Sequence, residues 1–216
     1  MKLLEIIDTK IDYSSEKALP INSPEIGSGF YSKVYDNDEW TVKKISMDPD
    51  YTYNPNDCYN FYVTYLIEHN ISSSNPFFPR IYNIHKNDST TVAPKSNYSF
   101  EIERLFELVD LNKASLKSIF NNIGFYYDRD STLYEVTHLK DIIKSFVHFG
   151  KYNNDEINNI GSINEKFLEA ISILKKIKEE YEKSHTDTIV WDLGYRNMMA
   201  RMGKTGTQLV FTDPFE

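Results

Sequence analysis

The apolar rhythm of the chain changes once, near Asp110, and that change limits the folds open to it. Before this point, Glu25 to Tyr35 and Trp40 to Ile45 alternate apolar and polar residues on either side of the turn-like Asp36-Asn-Asp-Glu39, the pattern of a hairpin. Pro79 to His85 and Ser99 to Leu105 read as two further strands, split by a polar stretch containing Pro94. Between the strand pairs, Asp48 to Asn56 carries Pro49 and Pro55 and reads as a loop. It leads into Asp57 to His69, where Phe61, Tyr65 and Leu66 recur at helical spacing. After Asp110, helices are expected over roughly 113–121, 136–149 and 163–183, the last with Phe167, Leu168, Ile171, Leu174 and Ile177 on one stripe. A hairpin from Met198 to Thr212, turning at Gly203-Lys-Thr-Gly206, follows. Strands first and helices second predict an α+β chain of two lobes. The expected division is an extension over 1–24, a β-rich N-lobe over 25–106 and a reduced helical C-lobe over 107–216.

Composition narrows the function classes. With 40% hydrophobic and 26% charged residues, the 216-residue chain can bury a substantial core. No stretch approaches the roughly 20 apolar residues that span a bilayer, so no membrane partner is expected. Met1 to Asp8 has one base and two acids around a short apolar run, unlike a secretory signal, and a cytoplasmic location is expected. Cys58 stands alone, which excludes an internal disulfide and a cysteine-rich metal site. A net charge of -8 argues against nucleic-acid binding driven by counterion release.

Chemistry concentrates in three places. Asp192-Leu-Gly-Tyr-Arg-Asn197 is followed 16 positions later by Asp213, across the predicted hairpin. Two carboxylates and an amide are oxygen donors of the kind that hold Mg²⁺ and orient an attacking hydroxyl. Upstream, Gly27-Ser28-Gly29 lets backbone amides approach phosphate oxygens, and Val34, on the strand that follows, could roof an adenine ring. On the next strand Thr41 and Lys43 share one face while Val42 and Lys44 take the other. Gly203-Lys-Thr has the ending of a P-loop but no glycine five residues earlier, and reads as a turn. His185-Thr-Asp187 reads as the polar end of the long helix, and the scattered tyrosines as packing residues.

This ordered set resembles the eukaryotic-like protein kinases, and more closely the kinases of short-tailed bacteriophages, over roughly Ile26 to Ile45 and Trp191 to Phe215. The resemblance implies a two-lobed protein-kinase-like fold, ATP and Mg²⁺ as cofactors, and transfer of phosphate to Ser or Thr of a protein substrate. For a phage enzyme that substrate would be a host protein, in the host cytoplasm. It implies Asp192 as the catalytic carboxylate, Asn197 and Asp213 as metal ligands, and Lys43 as the phosphate-binding lysine. Gly27, Ser28, Gly29, Val34, Thr41 and Met199 would surround the nucleotide, with Glu103 and Leu105 in a hinge running from Glu103 to Phe106. The family also pairs this lysine with a glutamate on the following helix; here Glu68 lies late on that helix and Asp57 early and short, so the partner of Lys43 is Glu68 or none.

The chain departs from the family at four points. Val190-Trp191 replaces His-Arg, and Gly194 replaces a lysine, with Arg196 offered as the substitute charge. Ser32 replaces a third glycine, and Asp213-Pro-Phe replaces Asp-Phe-Gly. With Glu216 three residues past Asp213, the resemblance implies a minimal form without an activation segment. A pseudokinase that binds a nucleotide or partner, and a small-molecule phosphotransferase, are the alternative readings.

Overall fold

The computed structural model describes residues 23–28, 32–46, 57–86, 98–125, 135–152, 162–186 and 188–216. Gly29, Asp187 and the extension up to Asn22 lie outside these. The chain is α+β and divides into two compact units, one of Met1–Asp57 and Arg80–Arg104, the other of Cys58–Pro79 and Leu105–Glu216.

In the first unit, β1 (Glu25–Ser28), β2 (Ser32–Asp36), β3 (Thr41–Ser46), β4 (Ile81–Lys86) and β5 (Tyr98–Glu103) form an antiparallel sheet in the order β1-β2-β3-β5-β4. Val34 stands opposite Lys44, and Tyr35 opposite Lys43. Across the next ladder Val42 faces Ile102 and Lys44 faces Phe100. Opposite residues of an antiparallel pair share a face. Val34, Val42, Lys44, Ile84, Phe100 and Ile102 therefore lie on one face, where Val42, Ile84, Phe100 and Ile102 are buried. The other face is mainly polar and carries Lys33, Tyr35, Thr41, Lys43, Asn83 and Glu101 beside the buried Ile45, with the Asn83 amide donating to Glu101 at 2.7 Å.

The β2–β3 turn is held from both ends. Asp38 Oδ1 accepts the N–H groups of Trp40 at 2.8 Å and Thr41 at 2.7 Å, and the Trp40 bond foremost holds its carboxyl below the usual range. From the end of β5, Arg104 pairs with Asp36, donates to the Asp38 carbonyl at 2.8 Å and gives its own N–H to the Trp40 carbonyl at 2.7 Å. A charged side chain thus ties a turn to a strand end 63 or more residues away.

The second unit contains α1 (Asp57–Glu68) from Cys58 onward, α2 (Ile71–Ser74), a 3-10 turn (Leu108–Asp110), α3 (Lys113–Ile123), α4 (Val136–Phe149) and α5 (Glu165–Ser184). A three-stranded antiparallel sheet, β6 (Phe106–Glu107), β7 (Met198–Gly203) and β8 (Gly206–Phe211), completes it. The helix expected within the 25–106 division groups with this unit because its aromatic face packs here: Phe61 meets Tyr181 edge-on at 5.4 Å, and Tyr62 meets Phe215 at 5.9 Å. The α5 stripe is narrower than expected. Phe167, Ile171, Leu174 and Ile177 are buried, but Leu168, about 100° round from Phe167, is 41% exposed.

Asparagines start two of these helices by accepting a backbone N–H, Asn112 from Ser115 at 2.9 Å and Asn164 from Lys166 at 2.8 Å. α3 clasps the β7–β8 hairpin. Ser118 Oγ accepts the Thr207 N–H at 2.9 Å, and the Asn122 amide donates to the Thr207 carbonyl at 2.7 Å. The segment before β4 is pinned to the same hairpin. The Arg201 guanidinium donates to the carbonyls of Pro76 at 2.8 Å and Phe78 at 2.9 Å, while the Phe211 N–H donates to that of Phe77 at 2.8 Å. Among the described residues no helix is long and apolar enough to cross a membrane.

Gly124 closes α3 at φ +98°, and a Cβ there would lie 2.8 Å from both Ile163 Cα and the Ser162 carbonyl oxygen. Both obstacles are backbone. Gly124→Ala is expected to lower unfolding free energy by about 2–4 kcal/mol, combining left-handed strain with overpacking. A denaturant melt superimposing on wild type would contradict the packing described.

Candidate functional site

Asp192, Asn197 and Asp213 are brought together within the second unit by backbone hydrogen bonds. Val190 and Glu216 exchange both of theirs, at 2.7 and 3.0 Å, Trp191 bridges to Phe215, and the Asp192 N–H donates to the Pro214 carbonyl at 2.9 Å. The stretch before Asp192 thus runs antiparallel to the stretch after Asp213. Lys178 of α5 donates to the Ile189 carbonyl, and Ile189 and Leu193 are buried, which roots this segment on both sides of Asp192.

Beyond Leu193 the chain turns sharply. The Gly194 carbonyl accepts the N–H groups of Asn197 at 3.0 Å and Met198 at 3.1 Å. The Asn197 carbonyl then accepts from Thr212 at 2.9 Å and Asp213 at 3.3 Å, which seats Asn197 directly beside the strand end that carries Asp213. Side chains converge as well. A Cβ on Gly194 would lie 3.3 Å from Asp192 Oδ1 and 3.9 Å from Asn197 Nδ2, so both flank the one residue that has no side chain to separate them. All three side chains are half-buried, placed between solvent and core.

The remaining expected residues fall out as follows. Met199 is half-buried on β7, opposite Val210 and Glu107, on the face away from its buried neighbours Met198 and Ala200. Arg196 and Tyr195 are exposed on the turn, with the guanidinium 5.9 Å from the Tyr195 ring centroid, the outer limit of a cation–π contact. Gly27 pairs with Val34 at the end of the first sheet, and Ser28 is the last residue of β1.

One expectation needs correction. Val34, Thr41 and Lys43 do not form one lining, because the register puts Val34 across from Lys44. Thr41, which accepts from the Asn37 amide at 2.8 Å, and Lys43, opposite Glu101, are buried on the polar face, whereas Lys44 shares the apolar face with Val34 and Val42. Glu68, the candidate lysine partner, is the exposed last residue of α1. Two backbone N–H groups of the Glu103–Phe106 segment are engaged. Arg80 takes the Glu103 N–H at 3.0 Å and gives its own N–H to the Glu103 carboxylate at 2.9 Å; Trp40 takes the Arg104 N–H. Leu105 is half-buried, and Phe106 pairs with Ala200.

The donor set fits a hard cation. Two carboxylates and an amide oxygen match the oxygen-only preference of Mg²⁺. The hydroxyl of Thr212, the residue before Asp213 in sequence, is buried without a hydrogen-bond partner among the described residues. No group of three His, Cys, Asp or Glu side chains forms a metal site among the described residues, and this set differs in relying on an amide. Sequence reading missed Trp191, Thr212, Pro214 and Phe215 as the residues that hold the set in place. Their only signal was adjacency to the acids.

No model of a known protein family matches the chain, and no curated protein matches its sequence.

Removing one of the carboxylates tests the metal fit. Asp213→Ala is expected to weaken Mg²⁺ binding, read by calorimetry with nucleotide present, by about tenfold or more. The melting temperature should stay close to wild type, since the carboxylate is half-buried and off the core. Unchanged affinity would remove Asp213 from the site.

Proposed function

We propose that the chain is a minimal two-lobed, protein-kinase-like enzyme that transfers the γ-phosphoryl group of ATP to serine or threonine hydroxyls of a protein substrate. The observation that carries this reading is the pair of hydrogen bonds accepted by the Asn197 carbonyl, which sets Asn197 and Asp213 side by side next to Asp192. A proton acceptor adjacent to two oxygen donors is the arrangement phosphoryl transfer from a metal-bound nucleotide requires.

In this reading Asp192 accepts the proton of the attacking hydroxyl as its oxygen bonds to the γ-phosphorus. The bond from that phosphorus to the β–γ bridging oxygen breaks, and ADP leaves. Asn197 and Asp213 would hold Mg²⁺, which when bound neutralises charge on the phosphate oxygens. The resemblance assigns the phosphate-binding role to Lys43; the register favours Lys44 for it, since Lys44 shares a face with Val34 and Val42. The resemblance assigns the Gly27 and Ser28 amides to the phosphates and Met199 to the base. Arg196, exposed on the turn after Asp192, would meet the γ-phosphate.

Radiolabelled ATP with a mixture of candidate acceptor proteins tests this. Asp192→Ala should cut labelling by about 10²-fold or more while preserving the melting temperature; equal labelling by both forms would refute the reading. Nucleotide binding without transfer by wild type would leave a binding protein, and transfer confined to small molecules would replace the acceptor class. Lys44→Met should raise the KM for ATP more than Lys43→Met does. The reverse order would return the role to Lys43.

A further inference from the structure

We infer that Tyr62 of α1 is a positioning residue for Asp213, setting through its hydroxyl the direction in which the chain leaves β8; the inference rests on the phosphotransfer reading above. Tyr62 is fully buried and its hydroxyl donates to the Phe211 carbonyl at 2.6 Å. Phe211 is the last residue of β8, two before Asp213. Its N–H is taken by the Phe77 carbonyl, and it pairs with Met198 in the ladder. The peptide entering the metal-binding stretch is thus fixed on both sides, and the next two N–H groups go to Asn197.

Tyr62 also touches the far side of Asp213. Its ring meets Phe215 edge-on at 5.9 Å and 76°, and Phe215 in turn lies 5.1 Å from Trp191. One side chain on α1 therefore holds the residues on both flanks of Asp213 and, through Phe215, the strand leading to Asp192. Burial pushes the phenol well above its ordinary pKa, with Tyr59 and Asp213 adding to the effect. The group stays neutral and keeps donating throughout the working pH range. A purely structural tyrosine would stabilise the fold without tuning the metal. A positioning tyrosine does both, because the carbonyl it holds is two peptide units from a ligand.

Tyr62→Phe keeps the ring and removes the donor. In the full chain it is expected to weaken Mg²⁺ binding by about tenfold in calorimetry with ATP, to raise the Mg²⁺ concentration for half-maximal transfer in parallel, and to speed hydrogen exchange at the Asp213 amide. A lowered melting temperature with unchanged Mg²⁺ affinity and Asp213 exchange would reduce Tyr62 to a packing residue and overturn the inference. Wild-type protein that binds no Mg²⁺ with ATP would instead refute the phosphotransfer reading, and this role with it. If Tyr62→Phe does not fold, 3-fluorotyrosine placed at position 62 keeps the hydroxyl and reports through its fluorine resonance. A shift on adding Mg²⁺ and ATP supports the link; an unmoved signal overturns it.

Discussion

The carbonyl oxygen of Asn197 is the point on which the site depends. It accepts two consecutive N–H groups, from Thr212 and Asp213, and so binds one end of the β7–β8 hairpin to the segment that follows β8. Were that acceptor directed elsewhere, the hairpin could still form, since its ladder is independent, but Asp213 would lose its fixed relation to Asn197. Backbone hydrogen bonds suit such a task because they do not depend on rotamers and, when buried, are costly to leave unmade.

Around that oxygen the second unit is built as concentric supports. The hairpin is clasped on one side by Ser118 and Asn122 of α3 and on another by the Pro76–Phe78 segment through Arg201 and Phe211. The outgoing strand is returned against Val190 to Asp192 and covered by Tyr62, Trp191 and Phe215. Rigid elements thus carry side chains that are themselves half-exposed, which is how a ligand-binding constellation stays both accessible and preorganised.

Much of this was legible in the chain itself. The alternation that marks β1 to β5, the apolar spacing of α3 to α5, and the 16-residue interval from Asn197 to Asp213 across a hairpin were all readable, because periodicity and turn chemistry are local properties. Register was not. Whether Val34 lies over Lys43 or Lys44 depends on how many residues the β2–β3 turn consumes, and a slip of one flips every side chain to the opposite face. The lodging of α1 with the second unit was equally hidden, since it rests on Tyr62 reaching a carbonyl 149 positions away. Arg104 and Arg201 fall in the same class: their guanidinium groups bind carbonyls distant in sequence, and nothing local distinguishes them from solvated arginines.

The two lysines of β3 illustrate how a sheet can separate chemistry by parity alone. Lys43 belongs to a face with Glu101 and Tyr35, while Lys44 lies on the opposite face with Val34, Val42, Phe100 and Ile102, which Asp36 joins opposite Val42. We propose that Asp192, Asn197 and Asp213 form one nucleotide–metal centre. An experimental structure with Mg²⁺ and a non-hydrolysable ATP analogue tests it most directly. The account predicts a metal about 2.1 Å from oxygens of Asn197 and Asp213, with the γ-phosphate facing Asp192. A nucleotide bound elsewhere, or a metal held without either residue, would contradict it.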